Sequence, residues 1–252
     1  MKIWHILSTL AMFYIASSLL LFFFQRNFLY FPSPEYQHPW QTQIFHHDNE
    51  SINVIVLNQG REKSILYFGG NAEAVVNNAA DYIKDFPDHT IYLVNYRGYG
   101  GSSGSPDEQA LYSDALYIYD QIKNKHRNVS VIGRSLGTGI ATYIASKRSI
   151  EKMILITPFD SIENIAGSHY PIFPISLLLK DKFDSAGRVN EITAQTLIML
   201  AEHDNVIPLK NSMRLINTFP VSQISVKTIK NTGHNNISER EKFHTVLKDF
   251  MK

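Results

Sequence analysis

Gly133-Arg134-Ser135-Leu136-Gly137 sets a serine between two glycines, directly after the β-branched run Val129–Ile132 and at the opening of a helical pattern. A serine on such a strand-to-helix turn can act as a nucleophile. The sharp turn lifts the hydroxyl clear of the sheet, and the flanking glycines remove Cβ atoms that would clash. A helix start beneath it adds free N–H groups and the positive end of the helix dipole, which stabilise developing negative charge. The five-residue pattern alone is common, and its plain alternative is a small-residue turn.

A hydroxyl is a weak nucleophile until a base takes its proton, so a histidine oriented by a carboxylate must follow if Ser135 reacts. Among ten histidines, only His234 follows both a strand-like run, Ile224–Ile229, and a glycine, Gly233, near the C-terminus. Two aspartates compete to orient it. Asp204, between Thr196–Ala201 and Val206-Ile207-Pro208, is favoured; Asp160, after the run ending at Thr157, is the alternative. The loop Phe68-Gly69-Gly70-Asn71-Ala72-Glu73 follows an earlier strand-like run. Its paired glycines allow the backbone close to a substrate, so the N–H groups of Asn71 and Leu136 are the expected oxyanion donors.

These residues must be brought together by elements that alternate in period. Ile52–Leu57, Ser64–Phe68, Thr90–Asn95, Val129–Gly133, Lys152–Thr157, Thr196–Ala201 and Ile224–Ile229 read as strands. Residues Ala72–Asp85, Asp107–Lys125, Ser135–Lys147, Leu209–Thr218 and Ser238–Lys252 read as helices. Strands separated by helices predict an α/β fold, a mostly parallel sheet covered on both faces, with an antiparallel edge where the first strands follow one another directly. The apolar interval 158–194 is too long for an ordinary connection and reads as an inserted cap.

With 252 residues, the chain has length for one such domain after an apolar leader. Its 24 basic and 23 acidic residues leave a formal charge of +1, which provides no field for a nucleic-acid backbone. The absence of cysteine removes disulfides, thiolate catalysis and cysteine-held metals.

From Ile3 to Phe24 the chain is apolar apart from His5 and a few hydroxyl residues. As a helix this run reaches roughly 33 Å, against a hydrocarbon core of about 30 Å. A cleaved signal peptide would have a shorter apolar centre and a polar mature start. Here Ala16-Ser17-Ser18 is followed by Leu-Leu-Leu-Phe-Phe-Phe, so an uncleaved single-pass anchor is expected. The α-amine and Lys2 on one flank against Arg26 on the other give a small bias toward N-terminus inside, with the catalytic domain on the non-cytoplasmic side. The expected organisation is an anchor over 1–26, an extended proline-containing connector over 27–43, and a catalytic domain over 44–252.

In order along the chain, Gln25–Pro32, Gly69–Glu73, Asn95-Tyr96-Arg97-Gly98-Tyr99-Gly100, Gly133–Gly137, Thr157-Pro158-Phe159-Asp160-Ser161, Asp204–Pro208 and Gly233-His234-Asn235-Asn236 resemble the successive motifs of the Bem46-like and ABHD13/ABHD17-like branch of serine hydrolases in the α/β-hydrolase superfamily. The resemblance implies Ser135, Asp204 and His234 as a catalytic triad, Leu136 and Asn71 at the oxyanion positions, and an N-terminal membrane segment. The family commonly has His-Gly where this chain has Gly69-Gly70. Arg97 is expected to be structural, bonding carbonyls near the site.

Neither a metal nor an organic cofactor is expected. Gly98-Tyr99-Gly100-Gly101 has the wrong spacing for a dinucleotide turn and is interrupted by Pro106. In His46-His47-Asp48, neighbouring strand residues point to opposite faces. The expected activity is hydrolysis of an ester or thioester of a small-molecule or lipid-derived acyl substrate through an acyl-enzyme. The rivals are peptide hydrolysis on the same triad and a catalytically silent anchored scaffold.

Overall fold

The computed structural model describes residues 2–252. The α-amine of Met1 and the Lys2 side chain, which enter the charge balance at the N-terminal flank, lie outside the described residues. Helix α1 (Lys2–Leu29) stands out from the rest, its residues from Ile3 to Leu29 having a mean hydropathy of 2.1 over the most apolar 18-residue stretch. It runs on to Leu29, past the expected end of the anchor at residue 26 and into the expected connector over 27–43. No proline occurs before Pro32, so nothing in that stretch breaks the helix.

Eight strands form one sheet in the order β1-β2-β4-β3-β5-β6-β7-β8. These are β1 (Gln41–His47), β2 (Glu50–Leu57), β3 (Lys63–Phe68), β4 (His89–Val94), β5 (Asn128–Arg134), β6 (Lys152–Ile156), β7 (Gln195–Ala201) and β8 (Ile224–Ile229). β1 with β2 and β2 with β4 are antiparallel; every pairing from β4 to β8 is parallel. The expected antiparallel edge is present. β1 begins inside the stretch read as connector. Its only fully buried residue is Phe45, so it carries little of the hydrophobic alternation that marks a strand.

Central strands such as β4 are buried along their whole length, as a sheet covered on both faces requires. One face packs on α3 (Glu108–Ile122) and α4 (Leu136–Lys147) through Leu111, Ala115, Ile118, Ile140 and Ile144. The other packs on α2 (Ala79–Asp85) and α8 (Glu241–Met251) through Tyr82, Phe243, Leu247 and Met251. The helix expected over Ala72–Asp85 starts late, with a 3₁₀ turn at Val75–Asn78 leading into α2. Residues 70–74 are held instead as a loop above the carboxyl ends of the strands, where Ala72 takes φ +60°.

Between β6 and β7 lie two short helices, α5 (Ile162–His169) and α6 (Ile175–Leu178), and a 3₁₀ turn at Ala186–Glu191. This segment packs against α1: Arg26 Nε donates to Asp181 Oδ2 at 3.0 Å, and the Tyr30 hydroxyl donates to the same carboxylate at 3.1 Å. The last helix between strands, α7 (Leu209–Ile216), follows Pro208.

Candidate active site

Ser135 sits between β5 and α4 with φ +48° and ψ −116°, a conformation that costs a non-glycine residue of order 1–3 kcal/mol. The turn is tight enough that a Cβ on Gly137 would overlap the Phe68 and Gly69 carbonyls, and one on Gly133 would meet the Gly137 carbonyl. Glycine at both positions is therefore a packing requirement of the elbow. The Ser135 N–H donates to Ile156 O at 2.9 Å, tying the strained residue to β6.

His234 Nε2 lies 2.9 Å from Ser135 Oγ, and His234 Nδ1 lies 2.8 Å from Asp204 Oδ2. The three side chains thus meet at the carboxyl end of the sheet from three separate loops. Asp204 Oδ1 accepts from the N–H groups of Val206 and Ile207 at 2.9 and 2.8 Å, so both carboxylate oxygens are engaged. Burial pushes this carboxyl up, but the bonds from His234 and the two backbone N–H groups outweigh it and hold Asp204 below the ordinary carboxylate value. The acid and histidine loops are joined by His203 N–H donating to Thr232 O at 2.8 Å. His234 itself is buried at 6% exposure.

Asp160, the alternative acid, makes no hydrogen bond to the imidazole. It is 1% exposed and accepts from Asn211 Nδ2 at 2.8 Å and Asn164 Nδ2 at 2.6 Å, and its carbonyl accepts from Ser185 and Ala186. It ties together the two ends of the segment between β6 and β7. Arg97 also departs from expectation: both its hydrogen bonds to Asp114 are 2.7 Å, so it forms a buried forked ion pair with α3 instead of bonding carbonyls at the site.

Among the described residues, the N–H groups of Asn71 and Leu136 have no protein acceptor. Leu136 is the first residue of α4, where an N–H has no intrahelical partner. Asn71 and Ser135 line one open cleft, together with Phe31, Asn77, Val206 and His234. A Cβ built on Gly70 would lie 3.5 Å from Ser135 Cβ, which measures how closely the glycine loop passes the serine.

Glu73, Arg134 and the side chain of Asn71 hold this arrangement through contacts that sequence reasoning does not single out. Glu73 accepts from Gly70 N–H at 2.5 Å, from the Tyr67 hydroxyl at 2.5 Å and from Asn78 Nδ2 at 2.6 Å. Arg134 lies 3.9 Å from Glu73 and donates to Asn235 O at 2.9 Å. The Asn71 side chain donates to Leu29 O at 2.6 Å and accepts from Phe31 N–H at 2.9 Å and the Tyr99 hydroxyl at 2.8 Å. Glu73 and Arg134 fall inside motifs visible in the sequence, but their pairing crosses two loops and leaves no local pattern.

A buried imidazole joining a strained serine to a carboxylate, above a mostly parallel sheet, defines a class of protein that comparison with known proteins bears out. Residues 53–178 match the family model described as alpha/beta hydrolase fold, and the chain belongs to that family. It is similar to the lysophosphatidylserine lipase ABHD12 of Danio rerio, 29% identical over 233 residues, covering 77% of this chain and 59% of that protein. An uncharacterized membrane protein of Saccharomyces cerevisiae is 28% identical over 171 residues, covering 64% of this chain and 60% of its own. The chain spans about half the length of the curated relatives it matches. Among solved structures, the Pyrococcus furiosus esterase Pf2001 aligns with a TM-score of 0.67 at 14% identity, covering 88% of this chain and 96% of the esterase, a likeness of fold.

Proposed function

We propose that the protein is a membrane-anchored serine hydrolase that cleaves a carboxylic ester or thioester of a lipid-derived or acylated substrate. The observation that carries this is the unbroken hydrogen-bond chain from Asp204 through His234 to the Ser135 hydroxyl. His234 Nε2 takes the hydroxyl proton as Ser135 Oγ attacks the substrate carbonyl carbon. Asp204 holds the ring with Nδ1 protonated, and the N–H groups of Asn71 and Leu136 receive the oxyanion. Collapse breaks the bond to the leaving alcohol or thiol, which takes the proton from His234. Water then attacks the acyl carbon, losing its proton to His234, and as the acyl–Oγ bond breaks His234 returns that proton to Ser135 Oγ and the acid is freed.

The substrate class is supported by the lipase named among the relatives and by an apolar groove between α1 and the cap segment. Helix α1, apolar over a spanning length, is the proposed anchor. The small basic bias at its flanks favours a catalytic domain on the non-cytoplasmic side. A fluorophosphonate probe tests the chemistry. Labelling and turnover of a p-nitrophenyl ester are both expected to vanish in Ser135→Ala, and labelling that persists refutes the assignment.

A further inference from the structure

We propose that the cap segment Tyr170–Leu179 is itself immersed in the bilayer beside the anchor, so that the catalytic domain is sunk into one leaflet instead of hanging from it on a tether. The proposal takes α1 as a membrane helix, as above. Three observations point to lipid as the partner of this surface.

The first is where the cap touches the helix. The Tyr14 hydroxyl donates to Ile172 O at 2.9 Å, and the Tyr14 ring stacks on Phe173 with centroids 5.6 Å apart. Tyr14 lies eleven residues beyond Ile3, or about 16 Å along a helix, half of a hydrocarbon core of about 30 Å. A helix that spans from Ile3 to Phe24 therefore carries the tip of the cap into the hydrocarbon with it.

The second is composition and exposure. Tyr170-Pro171-Ile172-Phe173-Pro174-Ile175-Ser176-Leu177-Leu178-Leu179 has no charged residue, and charge returns at Lys180-Asp181-Lys182. Ile172 and Leu177 are 71% and 80% exposed, on a surface continuous with the uncovered apolar side chains of α1. Lys180 Nζ sits 4.3 Å from the Phe22 ring centroid, and Arg26 is bound to Asp181, which sets a charged belt at the depth where headgroups begin.

The third is the treatment of the backbone. Irregular chain in hydrocarbon must satisfy its own polar groups. Pro171 and Pro174 have no N–H, and the N–H groups of Phe173, Ile175, Leu177, Leu178 and Leu179 all donate within the segment. Side chains from α1 satisfy further groups: Gln25 donates to Leu178 O at 3.0 Å and accepts from Lys180 N–H at 2.7 Å, and Tyr14 closes on Ile172 O. A loop facing water would need none of these. The groove between α1 and the cap, lined by Leu21, Phe28, Ile162, Tyr170 and Leu178, would then open toward the acyl chains of the leaflet.

The chain has no cysteine, so single-cysteine variants of the full-length protein can carry an environment-sensitive fluorophore in phosphatidylcholine vesicles with and without doxyl-labelled lipid. In Ile172→Cys, Leu177→Cys and the anchor control Leu10→Cys, emission is expected to shift to the blue and to be quenched by doxyl groups along the acyl chain. Val221→Cys, 89% exposed ahead of β8, is expected to show neither effect. Aqueous emission at Ile172→Cys and Leu177→Cys with quenching at Leu10→Cys overturns the immersion and leaves the anchor standing. Blue-shifted emission at the cap that doxyl lipid does not quench means that protein covers the surface, and also overturns it. Aqueous emission at Leu10→Cys removes the anchor and the immersion together.

Discussion

Arg134, the residue before Ser135, donates a 2.9 Å hydrogen bond to the carbonyl of Asn235, the residue after His234. The serine elbow and the histidine loop are thus fastened to each other one residue away from Ser135 and His234. On its other side Arg134 lies 3.9 Å from Glu73, whose carboxylate holds the Gly70 N–H of the Gly69–Glu73 loop. One guanidinium therefore spans the three loops that must agree in position.

Replacement of Glu73 by Gln is expected to lower kcat for a short p-nitrophenyl ester by about tenfold or more, because a displacement near 1 Å in a reacting group is that costly. KM should change little. Arg134→Ala leaves the half-buried Glu73 without its nearby cation and removes the bond to Asn235 O, and a loss of about 1–3 kcal/mol of stability is expected. A double-mutant cycle read by urea unfolding should return a coupling of about 0.5–3 kcal/mol; additivity would show that the two side chains act independently.

The two candidate acids give opposite outcomes. Asp204→Asn removes the acceptor that fixes the imidazole tautomer, so kcat is expected to fall by about 10⁴-fold with the fold intact. Asp160→Asn should cost about 1–3 kcal/mol, since it disturbs the buried bonds to Asn211 and Asn164, and should leave kcat nearly unchanged. Steady-state kinetics beside thermal unfolding separates them, and a reversed pattern would make Asp160 the acid.

Asn71→Ala keeps the backbone N–H proposed as oxyanion donor and removes the side chain that ties it to Leu29, Phe31 and Tyr99. The expected result is a kcat lower by about tenfold with KM for a short ester unchanged. A loss confined to KM would assign the side chain to substrate contact instead.

Asp204 gives the folded protein a predictable sensitivity to acid. Its folded pKa lies below the unfolded value near 3.9, so ionised Asp204 favours the folded state above that pH. The contribution disappears as pH falls through the folded pKa. Stability of the wild type should therefore fall more steeply below about pH 4 than that of Asp204→Asn, as measured by urea midpoints across the acid range.

Much of the site was legible because its requirements are local. Gly133 is needed because a Cβ there would meet the Gly137 carbonyl, a constraint written within five residues, whereas Gly137 is pressed against Phe68 and Gly69 from another strand. The alternation of strand and helix patterns, the apolar leader and the order of serine, acid and histidine are likewise properties of the chain alone, since each follows from periodicity or from a residue's place beside a strand. Tertiary structure decided what depends on loops meeting. It separated Asp204 from Asp160, turned Arg97 toward Asp114, joined Arg134 to Glu73 and Asn235, and extended α1 so that Gln25 and Arg26 could bind the segment between β6 and β7. The physical reason is the same in each case. A hydrogen bond or ion pair between residues on different elements, here from 17 to 155 positions apart, has no period and no fixed spacing, and its energy depends on burial and angle that exist only once the sheet has formed.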